Sequence, residues 1–257
     1  MPEVTNHPQG NFCWTELATT DQNGAKEFYS KLFGWTINDY PMGEGQTYTM
    51  LDLNGKNAAA AYTMDEAQRN MGIPPHWNYY IAVDNVDDMT AKAKSLGANV
   101  IMEPFDVMDV GRMSIVTDPA GATFSLWQAK SHNGVGIADE VGAFCWYELN
   151  VHDTEAAKKF YTSLFGWQAG GSPEYTEWVN GEKHLGGMMQ IQKEWGDVPP
   201  NWMGYVMVAD VDASTAKAKE LGGQVYMGPQ DIPNYGRFSV IADPQGAAIA
   251  MYQSAPR

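Results

Sequence analysis

The sequence predicts an α+β protein built by tandem duplication, and three observations support this prediction. The stretch GNFCWTELATTDQNGAKEFYSKLFGW at 10–35 returns as GAFCWYELNVHDTEAAKKFYTSLFGW at 142–167, with 15 of 26 residues identical. The stretch at 73–100 returns at 198–225 with 15 of 28 residues identical. Each half also reads twice as strand–helix–strand–strand–strand, so four such βαβββ modules are expected.

In the first module, a strand at FCWTEL precedes an amphipathic helix. Apolar residues recur at i, i+3, i+4, i+7 and i+8 from Ala25 to Phe33, which defines one helix face. Asp21 is expected to cap this helix and Gly34 to end it. Strands are then predicted at WTIND, YTMLDLNG and AAAAYTM.

The second module repeats this order. A strand at WNYYIAVD precedes a helix whose apolar face runs from Val86 to Leu96, with Asp84 or Asn85 as its cap and Gly97 after it. Strands follow at VIMEPFDV, RMSIVTD and ATFSLWQ. The sequence TDPAGA between the last two is typical of a tight hairpin turn, in which Gly supplies the positive φ.

These repeats divide the chain into five segments. They are an N-terminal tail at 1–9, a first domain of two modules at 10–128, a linker at 129–141, a second domain of two modules at 142–253 and a tail at 254–257. The offset between the copies falls from 132 to 125 residues along the chain, so the two halves differ in the length of their loops.

Composition limits the function classes. The net charge of −15 argues against nucleic acid or an anionic membrane as a partner, because both require a basic surface. No apolar run approaches the roughly 20 residues of a membrane span, and the N-terminal MPEVTNHPQG lacks the features of a secretory signal, so a cytoplasmic protein is expected. Cys13 and Cys145 occupy equivalent positions and are expected to be buried and reduced.

Three motifs carry a resemblance to a known family: the W-x-E-L strand, the D…FYxxLFGW helix and the late DPxG hairpin. Together they resemble the vicinal oxygen chelate superfamily, which includes glyoxalase I, the fosfomycin and bleomycin resistance proteins and the extradiol dioxygenases. The tandem arrangement with PPxW and GR[MF]S motifs is similar to the glyoxalase-like proteins typified by the mycobacterial 27–30 kDa antigen. The resemblance covers about 10–128 and 142–253. It implies that each pair of modules forms a cup-shaped mixed sheet with the helices outside.

The resemblance also locates a metal site. Metalloenzymes of this superfamily hold a divalent cation with four inward side chains, usually His and Glu. The slots that counting assigns are occupied by Trp14, Asn78 and Ser125 in the first half and by Trp146, Met203 and Ala250 in the second. The fourth slot lies within 58–64 or 184–190, where His184 alone can coordinate a metal. These side chains bind a hard cation weakly or not at all, so we expect no metal and no cofactor.

Alternation along the strands predicts which side chains line the two cups. The predicted ligand-binding residues are Trp14, Glu16, His76, Asn78, Tyr80, Arg112, Ser125 and Trp127 in the first half and Trp146, Glu148, Arg237 and Tyr252 in the second. Phe12 is expected on the same face as Trp14, and a hairpin without a bulge sets Arg112 opposite Trp127.

Three roles for Glu16 and Arg112 remain open at this stage. They could form a structural ion pair that holds the sheet closed, they could orient a polar ligand, or Glu16 could act as a general base with a raised pKa. The aromatic residues could equally fill the cups as core. The polar inner residues His76, Asn78 and Ser125 make the first half the better candidate for activity.

The sequence therefore favours a protein that binds a small, flat or aromatic organic molecule without the metal of the family. The alternative is a lyase, isomerase or dioxygenase-type enzyme that acts on a small oxygenated metabolite, with Glu16 as the candidate catalytic residue. The expected partner is a small-molecule ligand, and the expected assembly is a monomer or a homodimer.

Overall fold

The computed structural model describes residues 4–43 and 45–255, and within them it contains two eight-stranded mixed sheets and five α-helices. The elements of the first half are β1 Phe12–Thr19, α1 Gln22–Phe33, β2 Thr36–Gly43, β3 Gln46–Leu53, β4 Lys56–Thr63, α2 Glu66–Asn70, β5 His76–Ala82, α3 Val86–Ser95, β6 Asn99–Val107, β7 Gly111–Thr117 and β8 Thr123–Ala129. The elements of the second half are β9 Phe144–Val151, α4 Thr154–Phe165, β10 Gln168–Gly171, β11 Tyr175–Asn180, β12 Lys183–Gln190, a 3₁₀ turn at Lys193–Trp195, β13 Asn201–Met207, α5 Val211–Glu220, β14 Gln224–Ile232, β15 Gly236–Ala242 and β16 Ala248–Ser254.

Both sheets have the same strand order. The first runs β2-β3-β4-β1-β5-β8-β7-β6, and the second runs β10-β11-β12-β9-β13-β16-β15-β14. In each sheet, the first strands of the two modules pair antiparallel at the centre, and each is flanked by the last strand of its own module in parallel. The predicted α+β fold of four βαβββ modules is confirmed.

The helix boundaries follow from their caps. Asp21 accepts a hydrogen bond from the Gly24 backbone N–H at 3.0 Å, and Gly34 ends α1 in the left-handed conformation with φ 76°. The cap of α3 is Asn85, whose side chain accepts from the Asp88 N–H at 3.1 Å. Of the two residues proposed for this cap, Asn85 therefore performs the role.

Two local irregularities overturn predictions of side-chain direction. A β-bulge at Cys13 turns Phe12 to the helix side of the sheet, so Phe12 does not share a face with Trp14 as expected. The DPxG loop holds five residues, from 118 to 122, which sets Arg112 opposite Gln128 and not opposite Trp127. Because side chains alternate along a strand, this shift of one residue places Arg112 on the helix side.

The FYxxLFGW and DPxG motifs, which occur in both halves, join the two halves to each other. The Tyr29 hydroxyl donates to Asp243 Oδ2 at 3.0 Å and accepts from Trp77 Nε1 at 3.1 Å. The other half mirrors this set with Tyr161, Asp118 and Trp202. Each tyrosine therefore contacts the hairpin Asp of the other half. The apolar residues of both halves also form one continuous core.

No helix in the described part of the chain is long and apolar enough to cross a membrane.

Candidate functional site

Each sheet has a face turned away from the helices, which we call the first cup and the second cup. In the first cup, Glu16 lies on the central strand β1, between Tyr48 of β3 and Tyr80 of β5. The Tyr48 hydroxyl donates to Glu16 Oε2 at 2.8 Å, and the Tyr80 hydroxyl donates to Oε1. Trp14 Nε1 donates to the Tyr48 oxygen at 3.0 Å. A chain of hydrogen bonds thus holds one carboxyl group among aromatic rings.

The second cup repeats this arrangement with different residues. Trp146 Nε1 donates to the Tyr175 hydroxyl oxygen at 2.8 Å, and the Tyr205 hydroxyl donates to Glu148 Oε1 at 2.8 Å. The Tyr175 hydroxyl also lies close enough to Glu148 to lower the pKa of its carboxyl group. The Trp-x-Glu pair of each half is therefore part of a four-residue group that sets a carboxyl group beside two tyrosine hydroxyls.

Burial dominates the electrostatics of both groups. It raises the pKa of Glu16 and of Glu148, although the tyrosine hydroxyls act in the opposite direction. Burial and the neighbouring carboxyl also raise the pKa of the tyrosines, so their hydroxyls keep their protons. No Lys, Arg or His side chain within the described residues forms an ion pair with either carboxylate. Each cup therefore contains a carboxyl group that holds its proton to a higher pH than an exposed Glu does.

Arg112 does not pair with Glu16, so the structural ion pair, one of the three roles left open for these residues, is not formed. Arg112 Nε donates to Asp87 Oδ2 at 2.8 Å on α3, and its guanidinium also lies near Asp106. Arg237 does the same in the second half, with Asp212 and Asp231 as its partners. The one-residue shift in the hairpin is the cause, since it turns both arginines out of the cups. Each arginine instead forms ion pairs with a helix and with the edge strand of its sheet, α3 and β6 in the first half and α5 and β14 in the second.

The other predicted site residues fall into three groups. Asn78 is paired with Glu16 across β1 and β5 and lies near Tyr62, and Ser125 lies beside Tyr80 with its hydroxyl buried and without a hydrogen-bond partner among the described residues. Trp127 and Tyr252 lie on the last strands of their halves, Trp127 in the apolar cluster of the first cup. His76 lies at the start of β5, where its Nδ1 contacts the Pro74 carbonyl oxygen at 2.8 Å.

Sequence reasoning missed Tyr48, Tyr175 and His132. The tyrosines left a signal, because a Tyr-Thr pair lies on the third strand of both halves ahead of an Asn-Gly turn. His132 left none, since it belongs to the linker, which has no counterpart in the repeat.

The linker covers the first cup. The imidazole of His132 packs edge-on against Trp14 with ring centroids 4.4 Å apart, and Trp127 Nε1 donates to the His132 carbonyl oxygen at 3.0 Å. The Val135 N–H donates to the Cys13 carbonyl oxygen at 2.8 Å. Trp14 retains 3% of its exposure and Trp127 6%, so the chain itself fills the floor of the first cup.

The second cup is more open. Trp146, Tyr175 and Tyr252 are half-buried, whereas Glu148 and Tyr205 below them are buried. Within the residues that the structure describes, no aromatic or imidazole ring stacks on Trp146 as His132 does on Trp14. The two copies of the group therefore differ in access, with the second facing solvent along its aromatic side.

Comparison with known proteins identifies the family. The sequence model of the Glyoxalase/Bleomycin resistance protein/Dioxygenase superfamily matches residues 11–126 and 143–251. The chain belongs to this superfamily. The chain is 41% identical to CFP32 of Mycobacterium bovis over 263 residues, which cover 100% of both chains. CFP32 is provisionally named a glyoxylase. The anthracycline biosynthesis protein DnrV of Streptomyces peucetius is 31% identical, over 97% of this chain and 95% of DnrV.

Solved structures of the superfamily share the fold at low sequence identity. The Mn(II)-bound glyoxalase from Novosphingobium aromaticivorans has a TM-score of 0.65 at 16% identity, covering 95% of this chain and 82% of that one. The 2,3-dioxygenase LapB from Pseudomonas sp. KL28 has a TM-score of 0.66 at 13% identity, covering 96% and 94%. At these identities the likeness shows the fold alone.

The metal of the superfamily does not fit the residues present. The register completes the four slots with Ala60 on β4, opposite Glu16, and with Gly187 on β12, opposite Glu148. The slots thus contain Trp14, Ala60, Asn78 and Ser125 in the first cup and Trp146, Gly187, Met203 and Ala250 in the second. Neither set offers an imidazole or a carboxylate. Within the described residues, no three His, Cys, Asp or Glu side chains come together as a metal site.

Proposed function

We propose that this protein binds a small, flat, oxygenated organic molecule in the second cup, without a metal ion. The observation that supports this most is the difference between the two copies of one group. In the first cup, an imidazole of the chain packs on the tryptophan of the Trp-Tyr-Glu-Tyr group. In the second, the equivalent Trp146 is half-buried, and no ring among the described residues packs on it. The His132 imidazole on Trp14 therefore serves as a guide to the ligand: we expect a flat ring to pack on Trp146 in the same way.

The polar groups of the second cup define the rest of the ligand. Burial raises the pKa of Glu148, and in its protonated form this carboxyl group donates a hydrogen bond, with the Tyr175 and Tyr205 hydroxyls beside it as further partners. Such a group recognises carbonyl and hydroxyl oxygens at the edge of a ring. Met203 and Met189 occupy the positions that the polar Asn78 and Tyr62 hold in the first cup, which makes the surroundings of Glu148 more apolar.

A relative points to the same chemistry. DnrV is named for anthracycline biosynthesis, and an anthracycline is a fused-ring aromatic compound that carries hydroxyl and carbonyl oxygens. The aromatic cup and the carboxyl group suit this class of molecule. The sequence favoured the first half for activity because of its polar inner residues. The linker over Trp14 favours the second half instead.

One observation favours an enzyme as the second candidate. A carboxyl group whose pKa is raised by burial in an aromatic cup is one of the groups that enzymes use as a general acid or base. In this alternative, Glu148 exchanges a proton with a bound oxygenated metabolite, as in a lyase or isomerase. The fold shared with dioxygenases does not by itself indicate a reaction. Conversion of the bound molecule, followed by mass spectrometry, would separate the two candidates.

The test uses 1,8-dihydroxyanthraquinone as a flat, oxygenated probe in isothermal titration of the full chain. Trp146→Ala and Glu148→Gln are each expected to weaken binding about tenfold or more, the equivalent of about 1.4 kcal/mol. The matched variants of the first cup, Trp14→Ala and Glu16→Gln, are expected to leave the affinity unchanged. Equal losses in both cups, or no loss in either, would overturn the assignment to the second cup.

Metal content is a separate test. Elemental analysis of protein purified without a chelator is expected to find no stoichiometric transition metal, because the eight slots lack hard donors apart from one amide and one hydroxyl. One equivalent of Mn, Fe, Ni or Zn per chain would contradict the metal-free proposal.

A further inference from the structure

A cavity of about 440 Å³, open to solvent on one side, lies outside both cups, where α1 of the first half packs against α5 of the second. Leu32 and Phe33 at the end of α1 form one wall, and Met207 and Val208 at the end of β13 form another. Ser214 and Lys217 of α5 complete it. The cavity is thus mainly apolar with one ammonium group at its border.

The duplication provides an internal comparison, because α4 packs against α3 in the same way. Aligning VDDMTAKAKS of α3 with VDASTAKAKE of α5 sets Met89 at the place of Ser214 and Lys92 at the place of Lys217. Met89 is 8% exposed and belongs to the core. Lys92 Nζ donates to the Leu164 carbonyl oxygen at 2.8 Å. The first junction is therefore filled by a thioether chain and closed by a lysine.

The second junction lacks both features. Ser214 is too short to fill the space that Met89 occupies in the other copy, which accounts for the cavity. The Lys217 ammonium has no hydrogen-bond or ion-pair partner within the described residues, in contrast to Lys92. Asp210 also borders the cavity, but its side chain is engaged as the cap of α5, with Oδ1 accepting from the Ala213 N–H at 2.9 Å.

We propose that this cavity binds a small amphiphilic carboxylate, independently of the ligand of the second cup. Its unbranched apolar chain would take the space of the missing methionine, and its carboxylate would meet the Lys217 ammonium. An unbranched chain is favoured because the first junction is filled by an unbranched side chain, and a carboxylate is favoured because the partnerless group is a cation.

Octanoate is the probe for this site, and thermal unfolding and isothermal titration of the full chain are the measurements. Octanoate is expected to raise the Tm of the wild type and to bind at one site per chain, whereas octanol, without the carboxylate, is expected to bind at least tenfold more weakly. No shift and no heat with octanoate would overturn the proposal.

Two variants locate the site. Ser214→Met is expected to abolish octanoate binding and to raise the Tm without ligand by about 2–4 °C, since it fills the cavity as Met89 fills its counterpart. Lys217→Gln is expected to weaken octanoate binding about tenfold, with the exposed Lys219→Gln of the same helix as the unchanged control. Octanoate binding that persists in Ser214→Met and Lys217→Gln would show adsorption elsewhere on the surface and would contradict the proposal. If Lys219→Gln weakens octanoate binding as much as Lys217→Gln does, the loss is due to the change in net charge, and this result would also contradict the proposal.

Discussion

At the scale of single residues, the protein keeps a carboxyl group on an apolar strand because tyrosines across the sheet satisfy it. Glu16 accepts hydrogen bonds from two tyrosine hydroxyls and Glu148 accepts one from Tyr205, so the cost of burying a polar group is offset without a counter-ion. Such hydrogen bonds favour the anion, whereas burial favours the neutral acid. The raised pKa shows that burial prevails.

This balance predicts how stability depends on pH. A Glu whose pKa is raised in the folded protein binds more protons when folded than when unfolded, between about pH 4.3 and the folded pKa. The free energy of unfolding of the wild type should therefore fall, relative to that of Glu148→Gln, as the pH rises through this window. Urea unfolding of both proteins from pH 4 to 8 measures the difference.

The exposed Glu103→Gln serves as the control for that experiment, because the Glu103 side chain retains 71% of its exposure. Its stability should stay parallel to that of the wild type at every pH. A constant difference between the wild type and Glu148→Gln over the whole range would mean that the Glu148 carboxyl titrates normally in the folded protein.

The sequence predicted part of this group and missed the rest for a physical reason. Trp14 and Glu16 are two residues apart on one strand, so alternation alone places them on one face. Tyr48 comes from a strand two positions away in the sheet, and only strand order brings it to Glu16. Arg112 was misplaced because the face of a residue beyond a hairpin depends on whether the loop holds an odd or an even number of residues.

At the scale of elements, the linker distinguishes the two cups. Strands, helices and their caps repeat in both halves, which is why periodicity predicted them. The linker occurs once, and its path over the first cup depends on contacts that no pattern encodes. Gly134 is central to that path, because its backbone has φ 117° and an added Cβ would lie 2.1 Å from the Cys13 carbonyl oxygen.

Gly134→Ala is therefore expected to release the linker from the first cup. The strained φ and the backbone clash should lower the free energy of unfolding by about 1–3 kcal/mol, and the region around His132 should become sensitive to limited proteolysis. Gly228→Ala is the matched control, because an added Cβ there meets nothing within 4 Å and its φ is not in the left-handed region.

The same variant also tests the relation between the cups. Once the imidazole of His132 leaves Trp14, the first cup should bind the anthraquinone probe, giving two sites per chain in titration. An intact, protease-resistant linker in Gly134→Ala would contradict the view that it is held by close backbone contact.

At the scale of the whole molecule, the two halves are joined by reciprocal contacts and a shared core. Trp35 Nε1 donates to the Gly142 carbonyl oxygen at 2.7 Å, and Trp167 Nε1 donates to that of Gly10 at 2.9 Å, so each half ties down the start of the other. Phe12 stacks on Tyr147 with ring centroids 4.0 Å apart. The motifs that revealed the duplication in the sequence are thus largely residues of the interface between its copies. That role could not be read from one strand or helix alone.

The reciprocal tyrosines provide the sharpest test of this interlock. Tyr29→Phe removes the donor to Asp243 and the acceptor of Trp77 Nε1, and it leaves both groups buried without that partner. We expect the free energy of unfolding to fall by about 1–3 kcal/mol, and Tyr161→Phe should cost a similar amount for the same reason. Urea unfolding should remain a single transition in both variants, since the two halves share one core.

Tyr40→Phe is the control, because the Tyr40 side chain is 55% exposed, and it should change the free energy of unfolding by less than about 0.5 kcal/mol. If Tyr29→Phe behaves like Tyr40→Phe, or if the halves unfold in two separate transitions, the hydrogen bonds between the halves do not hold the molecule together.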